Sequence, residues 1–315
     1  MDKSTPIFGK DIGRKKLSNF GTSVIERIIM NLRSKMIYNQ STIWTSMLSL
    51  ILFLSILNSF SVYRLGQKFE GEEVFDLYNP NAMRDLKGRY HLNAEKFSLD
   101  IFKASKGTDH SAFYRKVKLE AFCANKERIG DIDDGGKYVC NPRMVRKENC
   151  TLISLGLHDQ IVYDQHITNV TERRCKILGA DKDPQQPSTQ KSYQKLNGDL
   201  YVGMIPNELT ISSMMKKSER NDVDILKIDI EGGEFGGLEP FIKEYNVCQI
   251  LIEVHGTPAE HLQMLQVMAK YNFRIFNVDP NPYCITCCEY SVINENCMDQ
   301  YGVVPLVPLV PRSEY

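Results

Sequence analysis

Polar residues close three predicted strands of the chain, and the first two of these ends suit a nucleoside ligand. The first apolar run ends in Ser154, Leu155 and Gly156, and Asp159 follows shortly after it. A glycine there lets a ligand approach the backbone closely, and neighbouring amides can bind a carboxylate. The second run closes on Asp181, at the spacing from Gly156 at which a βαβ unit offers an acid to ribose hydroxyls. These five residues are therefore predicted to line a ligand site.

The stretch DILKIDIEGGEF, residues 224–235, supplies the third strand end. Its apolar residues are mixed with charged residues up to Asp229 and Glu231, and two glycines, Gly232 and Gly233, then end the run. A surface strand would carry charges on one face only, and a core strand would carry none. A single acid at a strand end is often a helix cap or a surface charge. Acids at the ends of neighbouring strands, however, favour a nucleoside site.

The elements that must position these strand ends alternate between strand and helix. Strands are predicted at 150–157, 175–181, 199–205, 224–231 and 248–255, and helices at 111–125, 207–218, 235–245 and 258–271. The runs 273–279 and 289–294 follow as an antiparallel pair. This alternation predicts an α/β fold with a doubly wound, mostly parallel sheet, in which ligands bind outside the carboxyl ends of the strands.

A long uncharged segment precedes this domain. Residues 43–62 read IWTSMLSLILFLSILNSFSV, and a helix of that length crosses roughly 30 Å of hydrocarbon. The chain before it is too long for the basic n-region of a cleavable signal peptide. Basic residues dominate before the segment and acidic residues follow it. The positive-inside rule therefore predicts a signal anchor with a cytosolic N-terminus and a lumenal domain.

The predicted organisation has five parts. They are a basic cytosolic tail over 1–42, the transmembrane signal anchor over 43–63, a polar stem over 64–110, the lumenal domain over 111–300 and an irregular proline-rich tail over 301–315. A span of this length with a stem favours the Golgi among secretory compartments. The 39 basic and 39 acidic residues balance, and the local basic excess lies outside the folded domain. This argues against nucleic acid as a partner, and the oligomeric state stays open.

The cysteines agree with a lumenal domain. All nine lie beyond the predicted span, as expected in an oxidising compartment, and Asn149 and Asn169 begin glycosylation sequons on the same side. The run CITCCEY (284–290) holds a CxxC without a second CxxC or a His cluster at zinc spacing, so we interpret it as disulfide chemistry and expect no metal site. The odd count leaves at least one thiol free or paired with another chain, and the pairing stays open.

The stretch DVDILKIDIEGGEF resembles the signature D-x-L-K-I-D-x-E-G-x-E of the FkbM methyltransferase family. RIGDIDDGGKYVC (128–140), ILIEVHG (250–256) and NVDPNPYC with CCEYSVIN resemble its animal branch, which is related to the methyltransferase-like 24 proteins. The resemblance covers roughly residues 120–295. It implies a class I, Rossmann-like methyltransferase fold that uses S-adenosylmethionine, with a seven-stranded sheet whose last hairpin is antiparallel.

The resemblance also implies roles for individual residues. Gly156 and its neighbours would approach the methionine end of the cofactor, and Asp181 would hold the ribose hydroxyls. Asp229 and Glu231 would line the floor near the methyl donor.

A loop that contains Asp134 and Gly135 would lie over the cofactor. The glycine-rich motif of such enzymes is reduced here to ISLGLHDQ, which keeps a single glycine and has His158 where a second small residue is usual. The resemblance therefore implies the fold more firmly than the activity.

Methyl transfer to a hydroxyl needs an in-line approach to the sulfonium and a base near the acceptor. The sulfonium is already electrophilic, so no metal is required. We predict His255 and Glu253, at the end of the fifth strand, as the base, with Asp229 or Glu231 as competitors. Histidine titrates in the useful range, although a lone histidine at a strand end is more often structural.

Three functions are consistent with these features. The leading one is a membrane-anchored, S-adenosylmethionine-dependent O-methyltransferase of the secretory pathway, acting on a glycan or another small hydroxyl acceptor. The second is a non-catalytic lumenal or surface binding protein that kept the fold. The third is a type II glycosyltransferase, because DVD (222–224) mimics a metal-binding DxD. However, Asp222 and Asp224 precede an apolar strand, whereas such a motif should follow one.

Overall fold

The computed structural model describes residues 80–132 and 135–310. The predicted cytosolic tail, the signal anchor and the first part of the predicted stem lie outside these residues, as does Asp134. Within the described residues, no helix combines the length and the apolar character needed to cross a membrane.

The strands of the described residues form one large sheet and two small ones. They are β1 Ala121–Cys123, β2 Lys126–Ile129, β3 Lys137–Cys140, β4 Thr151–Leu155, β5 Lys176–Asp181, β6 Gly198–Val202, β7 Asp222–Ile228, β8 Asn246–His255, β9 Phe273–Pro280, β10 Cys287–Asn294 and β11 Val303–Pro305. The large sheet has seven strands in the order β6-β5-β4-β7-β8-β10-β9. Its first five strands pair in parallel, and β10 pairs antiparallel with both β8 and β9.

The helices lie mainly between the strands of the large sheet. They are α1 Pro80–Ser105, α2 His110–Tyr114, α3 Val162–Val170, α4 Pro187–Lys195, α5 Ile211–Lys217, α6 Glu234–Glu244, α7 Pro258–Lys270 and α8 Met298–Tyr301. Short 3₁₀ turns occur at Pro142–Met144 and Glu295–Cys297. The α7 helix begins at a capping box, in which Thr257 and Glu260 satisfy each other's backbone amides.

Alternation along the central strands explains why both faces of the sheet are covered. Leu226 and Ile228 of β7 enter one apolar cluster, whereas Ile225 enters the other. Successive side chains of a strand point to opposite faces, so one strand contributes to both clusters. Each apolar side chain of this size contributes about 1.5–3 kcal/mol when fully buried. The central strands are therefore held in place by two cores.

The predicted fold class is confirmed, and the departures from the predicted elements are local. The doubly wound sheet and its antiparallel terminal pair are present as expected. The helix predicted over 111–125 is wrong in its second half, because α2 ends at Tyr114 and residues 121–123 form β1. That strand pairs with β11 in the register Ala121↔Pro305, a partner that local periodicity does not reveal.

The ranges predicted as stem and tail are partly folded onto the domain. Helix α1 lies within the predicted stem, and its Ile101 is fully buried. In the predicted irregular tail, β11 pairs with β1, and the Oε1 atom of buried Glu120 accepts hydrogen bonds from the amides of Leu309 (2.5 Å) and Val310 (2.8 Å). Proline keeps the strand short here, yet the tail still pairs with β1.

Eight of the nine cysteines, all of which are described, form disulfides. The pairs are Cys123–Cys140, Cys150–Cys175, Cys248–Cys297 and Cys284–Cys287. The last pair matches the disulfide interpretation of the CxxC. Cys288 is the free thiol, and it is buried.

Candidate functional site

The carboxyl ends of β4 and β7 meet at Gly156 and Asp229. The Asp229 amide donates to the carbonyl of Leu155 at 3.2 Å, and the Gly156 amide donates to that of Ala180 at 2.9 Å. Gly156 has φ +78°, and a Cβ on it would lie 1.6 Å from the Asp229 carbonyl oxygen. Glycine is therefore required by the neighbouring strand. Gly156 lies at the edge where it was predicted to admit a ligand, and the contact that the structure shows there is with the backbone of Asp229.

Asp181 closes β5 beside this point and holds the loop after β4. Its Oδ2 accepts the His158 amide at 2.7 Å and its Oδ1 accepts the Asp183 amide at 3.0 Å. His158 and Asp159 both have positive φ, +47° and +60°, so the loop turns back towards β5. The Asp159 amide donates to Gln185 Oε1 at 2.7 Å. Two of the amides next to Gly156 are thus bound to the protein's own side chains.

The other residues predicted to bind the ligand are mostly buried or bonded within the protein. The Leu155 side chain is fully buried in an apolar cluster. Ser154 is also fully buried, next to Asp164 and Tyr193. Asp159 Oδ1 accepts the amide of Gln186 at 2.8 Å. Gly135 has φ +73° with open space where a side chain would be, and Asp134 lies outside the described residues.

Lys137, at the start of β3, lies at the centre of the buried charges at this edge. Its Nζ is 3.2 Å from Asp229 Oδ2, 3.1 Å from Glu253 Oε2 and 2.8 Å from Glu289 Oε1, and its side chain is 1% exposed. Gln249 of β8 fixes β3 on the sheet, because it accepts the Cys140 amide at 2.9 Å and donates to the Cys140 carbonyl at 2.8 Å. We call these four side chains, Lys137, Asp229, Glu253 and Glu289, the lysine hub.

The charges of the hub set one another's protonation. Burial alone would lower the pKa of Lys137, but the three carboxylates outweigh burial and raise it. Burial opposes ionisation of Asp229, yet Lys137 and Lys227 hold its pKa below the ordinary value. Burial and the charge of Asp229 raise the pKa of Glu253, and burial raises that of Glu289 to about 7. Asp229 is therefore a firmly ionised carboxylate and a poor proton acceptor.

His255 lies at the end of β8 between two acids. Its Nδ1 is 3.2 Å from Glu234 Oε1, and its Nε2 is 3.7 Å from Glu231 Oε2. The bond to Glu234 and the charges of both acids raise the pKa of His255 to about 9, although burial opposes this. These contacts favour the protonated form of the His255 ring, which cannot accept a proton, and so argue against the predicted role of His255 as a base. Protonated His255 can donate hydrogen bonds and hold an anion.

Glu231 occupies an unusual backbone conformation just after β7. Its φ is +55°, followed by Gly232 at +99°, and its side chain is 79% exposed. A left-handed conformation costs a residue with a Cβ about 1–2 kcal/mol. Such strain persists only where the surroundings impose it, and it is often found at functional sites. The turn places the Glu231 carboxylate outside the strand and beside His255.

Glu253, the second predicted base, is buried and already engaged. Its Oε1 accepts from Asn281 Nδ2 at 2.9 Å, while its Oε2 faces Lys137. Sequence reasoning missed Lys137, Glu234 and Asn281 as members of the site. Two of them carried a signal: Lys137 directly follows the two glycines of DDGGK, and Glu234 is the last acid of the KIDIEGGE signature.

One group of potential metal ligands lies within the described part of the chain. Oxygen, nitrogen and sulfur atoms of Glu253, His255 and Cys287 lie within 4.8 Å of one another. However, the Cys287 sulfur is bonded to Cys284, and the acids beside His255 raise its pKa. In the disulfide-bonded protein these three residues do not offer a ligand set.

The strand order of the sheet and the acids at its carboxyl edge define a class I methyltransferase fold. The model of the family described as "Methyltransferase FkbM domain" matches residues 102–275, more than half of the chain. The chain therefore belongs to the FkbM methyltransferase family. A comparison with curated protein sequences finds no match.

Several solved structures are similar over about half of the chain. A SAM-dependent methyltransferase from Aquifex aeolicus is 13% identical, with a TM-score of 0.30 over 48% of this chain and 85% of that one. A putative RNA methyltransferase from Pyrococcus horikoshii is 13% identical, with a TM-score of 0.32 over 47% of this chain and 74% of that one. M. capricolum TrmK in complex with S-adenosyl-homocysteine is 13% identical, with a TM-score of 0.34 over 49% of this chain and 66% of that one. At these scores no residue role is transferred.

The cofactor of the family is S-adenosylmethionine, and the residues at the carboxyl edge fit its nucleoside end. Each oxygen of Asp181 accepts one amide, so each keeps a lone pair for a ribose hydroxyl. Asp229 stays ionised next to the same edge and suits a cationic group. The fit is weaker at the methionine end, where the His158 and Asp159 amides are already bonded.

Proposed function

We propose that this protein is an S-adenosylmethionine-dependent O-methyltransferase that is anchored in a membrane of the secretory pathway and methylates a hydroxyl of a glycan. The supporting observation is the meeting of Asp181, Gly156 and Asp229 at the carboxyl ends of three adjacent strands of a methyltransferase sheet. Ligands of doubly wound sheets bind at this position. The animal branch related to the methyltransferase-like 24 proteins is part of the same proposal and rests on the motifs around DDGGK and EVHG.

Each residue has a separate task in this proposal. S-adenosylmethionine supplies an electrophilic methyl group when it is bound. Asp181 binds the ribose hydroxyls, and Asp229, kept ionised by Lys137, supplies negative charge near the donor. Glu231 accepts the proton of the acceptor hydroxyl, because its carboxylate is exposed and lies beside His255. Protonated His255 positions Glu231 through their 3.7 Å contact.

The compartment and the acceptor are inferred from other features. The disulfides of the described residues support an oxidising lumen, and the apolar segment 43–62 supports an anchor with the N-terminus in the cytosol. The Golgi is proposed from the span length and the stem. A lumenal catalytic domain meets glycans and secreted glycoconjugates, which are rich in hydroxyl groups.

A non-catalytic binding protein is the second candidate, and one observation favours it. The loop after β4 uses the amides of His158 and Asp159 to bind Asp181 and Gln185, so fewer donors remain for a cofactor. The glycosyltransferase alternative is disfavoured by the positions of its acids. Asp224 lies at the start of β7, is fully buried and is paired with Arg146 at 2.8 Å, so it cannot bind a metal–sugar nucleotide.

Titration calorimetry of the purified full-length chain with S-adenosylmethionine, S-adenosylhomocysteine and UDP-sugars plus Mn²⁺ separates these functions. We expect the first two ligands to bind and Asp181→Ala to weaken them about tenfold or more, since a hydrogen bond to a charged group contributes about 1.5–3 kcal/mol. The exposed Asp183→Ala serves as the matched control and should leave binding unchanged. Absence of binding by both adenosyl ligands would leave the non-catalytic candidate in place.

A further inference from the structure

The loop at residues 281–286, between β9 and β10, presents two large apolar side chains to solvent. Tyr283 is 74% exposed and Ile285 is 77% exposed. Exposed side chains of this size are common singly, but two of them on one short loop beside a candidate site mark a binding surface. We call these two residues the loop platform.

The backbone beneath the loop platform is fixed at its start. The Asn281 amide donates to the Cys287 carbonyl at 3.2 Å, and Asn281 Oδ1 accepts the Tyr283 amide at 2.9 Å. Asn281 Nδ2 also reaches Glu253 at 2.9 Å, which ties the loop to the lysine hub. The Cys284–Cys287 disulfide closes the same turn covalently.

The far side of the loop is fixed as well. The Tyr114 hydroxyl donates to the Ile285 carbonyl at 3.1 Å, and the Gly256 amide donates to the Thr286 carbonyl at 3.1 Å. Bonds to α2 and to the end of β8 therefore hold a loop whose apolar tips stay in water. A surface that is ordered before its ligand arrives loses less entropy on binding.

The loop platform stands beside the proposed reaction centre. Cys287, the first residue of β10 after the loop, pairs directly with His255 across the β8–β10 ladder. The side chains that solvent reaches along this rim include Glu231 and Asp279, which pair with His255 at 3.7 Å and with Arg128 at 2.9 Å. The rim therefore combines an apolar platform with paired charges that can accept and donate hydrogen bonds.

We propose that Tyr283 and Ile285 form the acceptor-binding platform and that the acceptor is a neutral carbohydrate. This rests on the proposed methyl transfer and names its substrate site. A sugar ring presents a face of C–H groups that stacks on an aromatic ring, while its hydroxyls pair with carboxylates such as Glu231. Each exposed acid of the rim is already paired with a cation, so the rim offers no unpaired positive charge to a phosphate or sulfate group, and we expect nucleic acids and sulfated glycans to bind more weakly than a neutral sugar.

Saturation-transfer NMR with the full-length chain tests the platform directly. The probes are neutral oligosaccharides built from glucose, galactose, mannose and N-acetylglucosamine, with a heparin hexasaccharide and a single-stranded oligonucleotide as charged comparators. We expect at least one neutral oligosaccharide to bind, and Tyr283→Ala to raise its Kd about tenfold, from the loss of ring contacts. Tyr283→Phe keeps the ring and should stay within about twofold of wild type.

The matched control is Leu92→Ala, which removes an 87% exposed apolar side chain from α1 and should leave the Kd unchanged. The proposal is overturned if no neutral oligosaccharide binds, if a charged comparator binds better, or if Tyr283→Ala binds as well as wild type. S-adenosylhomocysteine is titrated into the same samples. If S-adenosylhomocysteine binds and no sugar binds, the platform is refuted and the methyl transfer is not. If a sugar binds and S-adenosylhomocysteine does not, the methyl transfer is refuted and the platform is not.

Discussion

Lys137 Nζ lies 3.2 Å from Asp229 Oδ2 and joins the hairpin of β2 and β3 to the KIDIEGG strand end. The two residues come from the two most distinctive motifs of the chain, and neither motif alone explains its charged residue. Buried without a partner, either charge would be very unfavourable. Together they hold the hairpin over the carboxyl edge and keep Asp229 ionised.

Replacing Lys137 by Met should destabilise the protein by about 3–5 kcal/mol, because it leaves buried carboxylates without their cation. Urea denaturation followed by circular dichroism measures this change. Lys216→Met is the control, since Lys216 is fully exposed and pairs only at the surface with Glu244; its midpoint should match wild type. Equal midpoints for both variants would mean that the hub carboxylates take up protons at no cost.

Replacing Gly156 by Ala should cost about 3 kcal/mol or more, because the new Cβ overlaps the Asp229 carbonyl oxygen and the positive φ is strained. Gly88→Ala is the matched control in α1, where a Cβ meets nothing within 4 Å. It should stabilise the helix by about 0.5–1 kcal/mol. Thermal unfolding of the two variants in parallel gives the comparison, and a wild-type melting curve for Gly156→Ala would contradict the described backbone contact.

The His255 ring should titrate with a pKa of about 9 in histidine NMR spectra. Glu234→Gln removes its strongest partner and should shift the pKa down towards the ordinary 6.5, whereas Glu239→Gln in the same helix should not. The pKa is raised in the folded protein, so the stability from this pair is complete below pH 6.5 and is lost as the pH rises through 9. Methyl transfer should fall over the same upper range if protonated His255 positions Glu231, and a wild-type pKa near 6.5 would restore His255 as a candidate base.

Asn149 and Asn169 are both exposed and should carry glycans if the domain is lumenal. Expression in animal cells and digestion with peptide N-glycosidase should give a mobility shift, which Asn149→Gln and Asn169→Gln each reduce by one step. Unshifted protein whose cysteines also react with an alkylating agent before reduction would refute the lumenal assignment.

The strands that bear the site were predictable because their apolar runs are long and end in glycine or acid. Asp181, Asp229 and His255 were identified as strand-end residues from the points at which these apolar runs end. Gly156 was identified for a different reason from the one the fold supplies. The sequence cannot show that the carbonyl of Asp229 passes so close to it, since the approach depends on pairing between strands far apart in the chain.

The remaining features depend on long-range contacts that leave little local trace. Lys137 is charged and looks exposed in sequence, and only the docking of its hairpin on β8 buries it. Helix α4 buries only Thr189 and Tyr193, too few for an apolar period. The left-handed residues His158 and Glu231 are not glycines, so their turns could not be read from residue type.

The pairing of β1 with β11 has a consequence for how the protein is made. Ala121 finds its partner, Pro305, only after nearly the whole domain has been synthesised. Contacts between such distant segments form slowly, so a nascent chain would expose the apolar surface beside β1 throughout elongation. β11 therefore covers this edge only after the rest of the described domain has been made, and until then the exposed apolar surface is prone to aggregation.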